Sequence, residues 1–148
     1  MRIEHSLDID VPPETVWSIT TDIERWPEWT PTVTSIRHVS GHPFGLGSVA
    51  RIKQPMQAEA EWTVTAYEAG RRFSWESTRT GLLFVGTHEV HPSGAGTRSV
   101  LRMEASGWLA ILMWPVLLVA TRHAIARENQ GLKERSEQVA RAGAPGQG

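Results

Sequence analysis

Two histidines stand where an imidazole can do acid–base work next to an apolar space. His5 alternates in step with Ile3 and Leu7, and His88 shares a strand face with Phe84 and Val90. Such a ring can take or give a proton at one polar centre of a ligand, or simply contact it. The plainer reading of each is a core or edge histidine whose nitrogens are satisfied by hydrogen bonds. A metal site is not expected. His38, His42, His88, His91 and His123 lack a tight ligand spacing, and His88 and His91, three apart in a strand, point to opposite faces. Glu59, Glu61, Glu89, Glu104, Asp8 and Asp10 alternate with apolar neighbours and are read as facing solvent, so no inward carboxylate pair is expected. There is no GxSxG elbow, and the glycines of 41–47 do not join a strand to a helix as a phosphate cradle would.

Composition narrows the classes further. Cysteine is absent, which excludes disulfides, thiolate nucleophiles and Cys-based metal centres. Fifteen Lys and Arg against sixteen Asp and Glu give a net charge of −1 with no basic stripe, so nucleic acid is not expected as a partner. Seven tryptophans stand against three Phe and one Tyr, a large apolar payload that either fills a core or walls a ligand site.

These residues need elements to hold them. Residues 2–10 alternate as a half-buried strand, and the Pro12-Pro13-Glu14 run opens a short helix. A second helical turn follows from Asp22 and stops at Pro27. From residue 33 to residue 106 the pattern is strand and turn, with strands expected at 33–40, 48–54, 58–67, 72–78, 83–91 and 97–105. Beyond Pro115, the positions Leu118, Ile125, Leu132 and Val139 repeat every seven residues, with Glu128 and Asn129 on or beside the stripe. This predicts one amphipathic helix of about twenty-five residues. Residues 142–148, rich in Gly, Ala and Pro, are expected to be a flexible tail after a single domain at 1–141. No signal-peptide pattern opens the chain, and the apolar run 108–120, interrupted by Pro115, falls short of the roughly 20 residues of a spanning helix. A soluble, cytoplasmic protein is the expectation.

The order of one strand, two short helices, six strands and a long helix resembles the START-like superfamily, also called SRPBCC or helix-grip, in its polyketide cyclase/dehydrase-like branch. The resemblance rests on the runs at 9–17, 21–29, 44–48 and 62–73, and on Gly131-Leu132-Lys133. It implies an α+β fold in which a curved seven-stranded antiparallel sheet wraps around the C-terminal helix, with a deep apolar cavity between them and its mouth near the short helices. In that strand order only the last strand separates His5 from His88, which sets them about 10 Å apart.

On this fold the side chains expected around the cavity are Trp26 and Trp29 at the mouth, Trp62, Phe73, Trp75, Phe84 and Met103 on strands, and Trp108 and Trp114 ahead of the helix. Arg122 and Asn129 are the polar contacts expected from the helix. The resemblance implies binding of a hydrophobic or amphipathic small molecule, lipid-like or polyketide-like, with no cofactor. Its alternative is an enzyme of the polyketide cyclase/dehydrase kind, with His5 or His88 as the acid–base group. A third reading is an interaction module that uses the apolar run 108–120 to meet a second subunit, as a homodimer, or a membrane surface.

Overall fold

The computed structural model describes residues 1–143. Strand β1 (Arg2–Ile9) buries Ile3 and Ile9 and leaves His5 and Leu7 half-buried, as its alternation requires. Helix α1 (Pro13–Thr21) starts on proline, whose missing N–H is no loss in a first turn, and carries Glu14 there to meet the helix dipole. A 3-10 helix (Ile23–Glu28) follows and contains Pro27. Asp22 does not cap it with its side chain and instead pairs with Arg25 at 3.3 Å. The remaining strands are β2 (Ser35–Ser40), β3 (Val49–Lys53), β4 (Ala60–Glu68), β5 (Arg72–Arg79), β6 (Leu82–Ser93) and β7 (Gly96–Ser106).

All seven strands form one antiparallel sheet in the order β1-β7-β6-β5-β4-β3-β2. Successive strands from β2 to β7 are neighbours, and β1 closes onto β7 at the far edge. Bulges between His38 and Ser40 and between Val64 and Ala66 add the local bend a curved sheet needs. Pairing sets His5, Leu101, His88, Phe73 and Tyr67 in one row across the sheet, and Ile3, Met103, Gly86, Trp75 and Val64 in the next. Cross-strand partners share a face, so both rows look toward the helix.

The last element, α2 (Trp108–Gly143), is 36 residues long rather than about twenty-five. It begins ahead of Pro115, because a proline removes only one N–H bond and its cost is tolerable on an exposed stretch where water can take the freed carbonyl. The helix also runs two residues into the stretch expected to be a tail, and residues 144–148 lie outside the described residues.

Helix α2 sits on the sheet through Ile125, Asn129, Leu132 and Ser136, all buried. Asn129 is fully buried and ties the two layers together. It accepts a hydrogen bond from Ser99 Oγ at 2.7 Å and donates to the Ser99 carbonyl at 3.2 Å and to His5 Nδ1 at 3.1 Å. Gly131 lets α2 pass against the Trp29 carbonyl, where a Cβ would collide with backbone.

Candidate functional site

Between the sheet, the 3-10 helix and α2 lies a cavity of about 40 Å³. A water molecule needs roughly 10–15 Å³ on this measure, and small-molecule pockets are typically ~300–1,000 Å³, so the space holds a few waters rather than a bulky ligand. The tryptophans fill the rest. Trp26, Trp62 and Trp75 line the space with Met103, Val33, Ile52 and Ile125. Trp26 is anchored by its indole N–H, which donates to the Thr20 carbonyl at 3.1 Å, and it packs on Trp75 with centroids 5.3 Å apart. Trp75 extends across β6 because residue 86 is glycine: a Cβ there would stand 3.1 Å from the indole nitrogen.

The polar groups at this cavity are few and close together. His88 reaches it from β6, stacked on Phe73 at 4.7 Å and packed on Trp26 at 5.2 Å. Burial among these rings disfavours the imidazolium and pushes the pKa down to about 3, so His88 is neutral at physiological pH. Glu128 reaches the cavity from α2, with Oε1 3.7 Å from His88 Nδ1. Burial raises its carboxyl to about 7, with hydrogen bonding to Thr32 working against that rise. Arg102 cannot neutralise the carboxylate, because its guanidinium is taken by Glu4 at 2.8 Å and Glu89 at 3.1 Å. The result is a carboxylic acid that titrates near neutrality, facing a neutral imidazole. One is a proton donor and the other an acceptor, and at 3.7 Å they stand side by side, close enough to address neighbouring atoms of one ligand.

The expected site residues divide into three groups. Trp26, Trp62, Trp75, Met103 and His88 line the cavity. Phe73, Phe84 and Trp29 form its outer support: Phe73 is fully buried behind the His88 ring, Phe84 packs on Trp62 at 6.4 Å, and Trp29 packs on Trp26 at 5.6 Å. The others stand elsewhere. His5 and Asn129 bond to each other in the seam between β1 and α2, and neither lines the cavity. Trp108 and Trp114 are 62% and 52% exposed, and Arg122 is exposed, because α2 starts early and its first turns project beyond the packed part of the sheet. The stretch of α2 that faces the cavity is therefore one turn later, at Ile125 and Glu128.

Glu128 is a cavity residue that the sequence marks only faintly. Its signal was its place three residues after Ile125 and four before Leu132, on the apolar stripe rather than opposite it.

A seven-stranded antiparallel sheet holding a long C-terminal helix, with two short helices after the first strand, is the helix-grip fold of START-like proteins. The chain belongs to the family described as polyketide cyclase/dehydrase and lipid transport, whose model matches residues 1–137. Among solved structures, it is similar to a Streptomyces aromatase/cyclase, Zhui, with a TM-score of 0.76 and 16% identity over 99% of this chain and 98% of that one. A START superfamily protein from Mycobacterium smegmatis matches with a TM-score of 0.74 and 18% identity, covering 93% of this chain and 98% of the other. A protein from Thermus thermophilus matches with a TM-score of 0.77 and 20% identity, over 95% and 99% of the two chains. No sequence match was found among curated proteins.

Proposed function

We propose that the protein binds a hydrophobic small molecule between the sheet and α2 and acts on it by acid–base chemistry of the cyclase/dehydrase kind. The observation that carries this reading is the Glu128 carboxyl, raised to about 7, facing the neutral His88 ring at 3.7 Å in a tryptophan-walled cavity. A carboxyl that titrates near neutrality in a cleft suits general-acid work, and the unprotonated imidazole beside it is free to accept a proton. In a dehydration, His88 takes the proton next to a ligand carbonyl while Glu128 gives its proton to the β-hydroxyl. The C–O bond breaks, the hydroxyl leaves as water, and a C=C bond forms. The proton on His88 then returns to the Glu128 carboxylate, and the pair is ready again.

A ligand larger than a few atoms requires the cavity to widen. The 3-10 helix is the element to move, since it carries Trp26 and joins α2 through the Arg135–Glu28 pair at 2.9 Å and the contact of Trp29 with Gly131. The small volume favours a second reading, carriage of a compact ligand without turnover. Proton NMR in deuterium oxide with an aromatic β-hydroxy ketone separates the two. Wild type is expected to exchange the α-proton and release the enone; Glu128→Gln should exchange without dehydrating, and His88→Gln should do neither. Carriage alone predicts binding with no exchange by any of the three.

A further inference from the structure

The first turns of α2 touch the fold only on one side, through Ala110 and Leu118, and leave most of their apolar surface uncovered. Trp108, Ile111, Leu112, Trp114, Val116 and Val119 are each more than half exposed, and together they cover more than half of the helix circumference. Helix α2 holds the one stretch among the described residues with the length and apolar composition of a membrane span, yet only 11% of that window is buried, so that stretch is not part of the core. It cannot cross a bilayer from where it stands. The apolar run of 108–120 is about 20 Å long against a hydrocarbon core of about 30 Å, and from Ile125 onward the helix is packed on the sheet.

Charge and shape say what covers it. No acidic residue occurs between Glu104 and Glu128, while Arg122, His123 and Arg127 follow the apolar run and are exposed. Beneath the helix, against the β1–β7 edge, lies an open groove of about 570 Å³ lined by Met1, Ala105, Ala110, Ile111, Trp114 and Leu118. A second protein surface would cover one side of such a helix and leave the opposite side wet. Acyl chains cover its whole exposed arc and enter the groove, while anionic headgroups meet the basic collar.

We propose that the N-terminal half of α2 docks this protein on an anionic membrane surface, with residues 108–120 in one leaflet and Arg122, His123 and Arg127 at the headgroups. This goes beyond the cavity chemistry and does not depend on it.

Vesicle flotation of the full chain tests it, with phosphatidylcholine alone and with phosphatidylcholine mixed with phosphatidylglycerol, at low and at physiological salt. The chain is expected to float with the mixed vesicles, less so with the neutral ones and less so at higher salt. Leu112→Asp with Val116→Asp should abolish flotation on both while leaving the thermal midpoint unchanged, because both side chains are solvent-exposed. Arg122→Gln with Arg127→Gln should lower partition onto the mixed vesicles about thirtyfold and leave the neutral ones unaffected, from ~1 kcal/mol per basic residue near the surface. The proposal is overturned if wild type stays in solution with both vesicle types. It is equally overturned if sedimentation velocity shows a dimer that the two Asp substitutions split and neither vesicle type is bound, since a second copy then covers the face.

Discussion

Replacing Glu128 by glutamine keeps the shape of this largely covered acid and removes its ionisation. The carboxyl titrates near 7 in the fold against 4.5 in the unfolded chain, so between those values the unfolded chain has shed a proton that the folded one keeps. Its contribution to stability is fully present below pH 4.5 and is lost as pH rises to 7, a loss of about 3 kcal/mol at ~1.4 kcal/mol per unit. His88 runs the other way. It stays neutral down to about 3 against an ordinary 6.5, so its contribution is present above 6.5 and is lost as pH falls toward 3. From 4.5 to 6.5 the two slopes oppose each other and nearly cancel in wild type, whereas Glu128→Gln keeps only the His88 slope.

Other carboxylates drop out of the comparison. Glu89, whose burial is outweighed by His91 and Arg102, and Glu137, beside Lys133, both sit below the usual carboxylate range and weaken both proteins alike in acid. Urea denaturation from about pH 4.5 to about pH 8 reads the difference directly. The variant should match wild type at the acid end and exceed it by about 3 kcal/mol above pH 7, a midpoint gap of ~1–3 M urea. Stability curves that stay parallel over the whole range would mean that Glu128 ionises like an ordinary surface acid, and the reasoning about the pair would fail.

Asn129→Ala strands the buried polar groups of Ser99 and a nitrogen of half-buried His5 and should cost about 2–3 kcal/mol, seen as a lowered thermal midpoint. Gly86→Ala places a methyl 3.1 Å from the Trp75 indole nitrogen and should cost about 1–3 kcal/mol. Trp26→Phe removes the hydrogen bond to Thr20 and part of the ring that fills the cavity, so it should lose about 1–2 kcal/mol of stability. The same variant should bind the fluorescent probe anilinonaphthalene sulfonate more tightly than wild type, measured by titration at equal protein concentration.

Much of this architecture is legible in the chain because it rests on local rules. The alternation of residues 2–10, the proline start of α1, and the turn glycines between strands each dictate a backbone conformation within a few residues. The rotation of Trp26, Trp62 and Trp75 into one wall is also visible as alternation on β4 and β5 and as the Asp22-to-Pro27 turn. What the chain conceals is partnership across distance. His5 looks like a cavity histidine until Asn129, 124 residues later, takes its Nδ1. Glu128 looks like the polar edge of a helix until β6 and the 3-10 helix bring His88 and Trp26 to the same space. Trp108 and Trp114 read as an entry to the cavity only if α2 begins at Pro115, and a helix that tolerates that proline carries both rings outward.

The central claim is that His88 and Glu128 act on a hydrophobic molecule rather than merely enclosing it. The most direct measurement is the mass of the small molecules extracted from wild type and from Glu128→Gln, each purified from the native host. The account predicts that the variant retains a hydroxylated molecule, heavier by one water than the product recovered with wild type. Recovery of the same unchanged molecule from both proteins would contradict it.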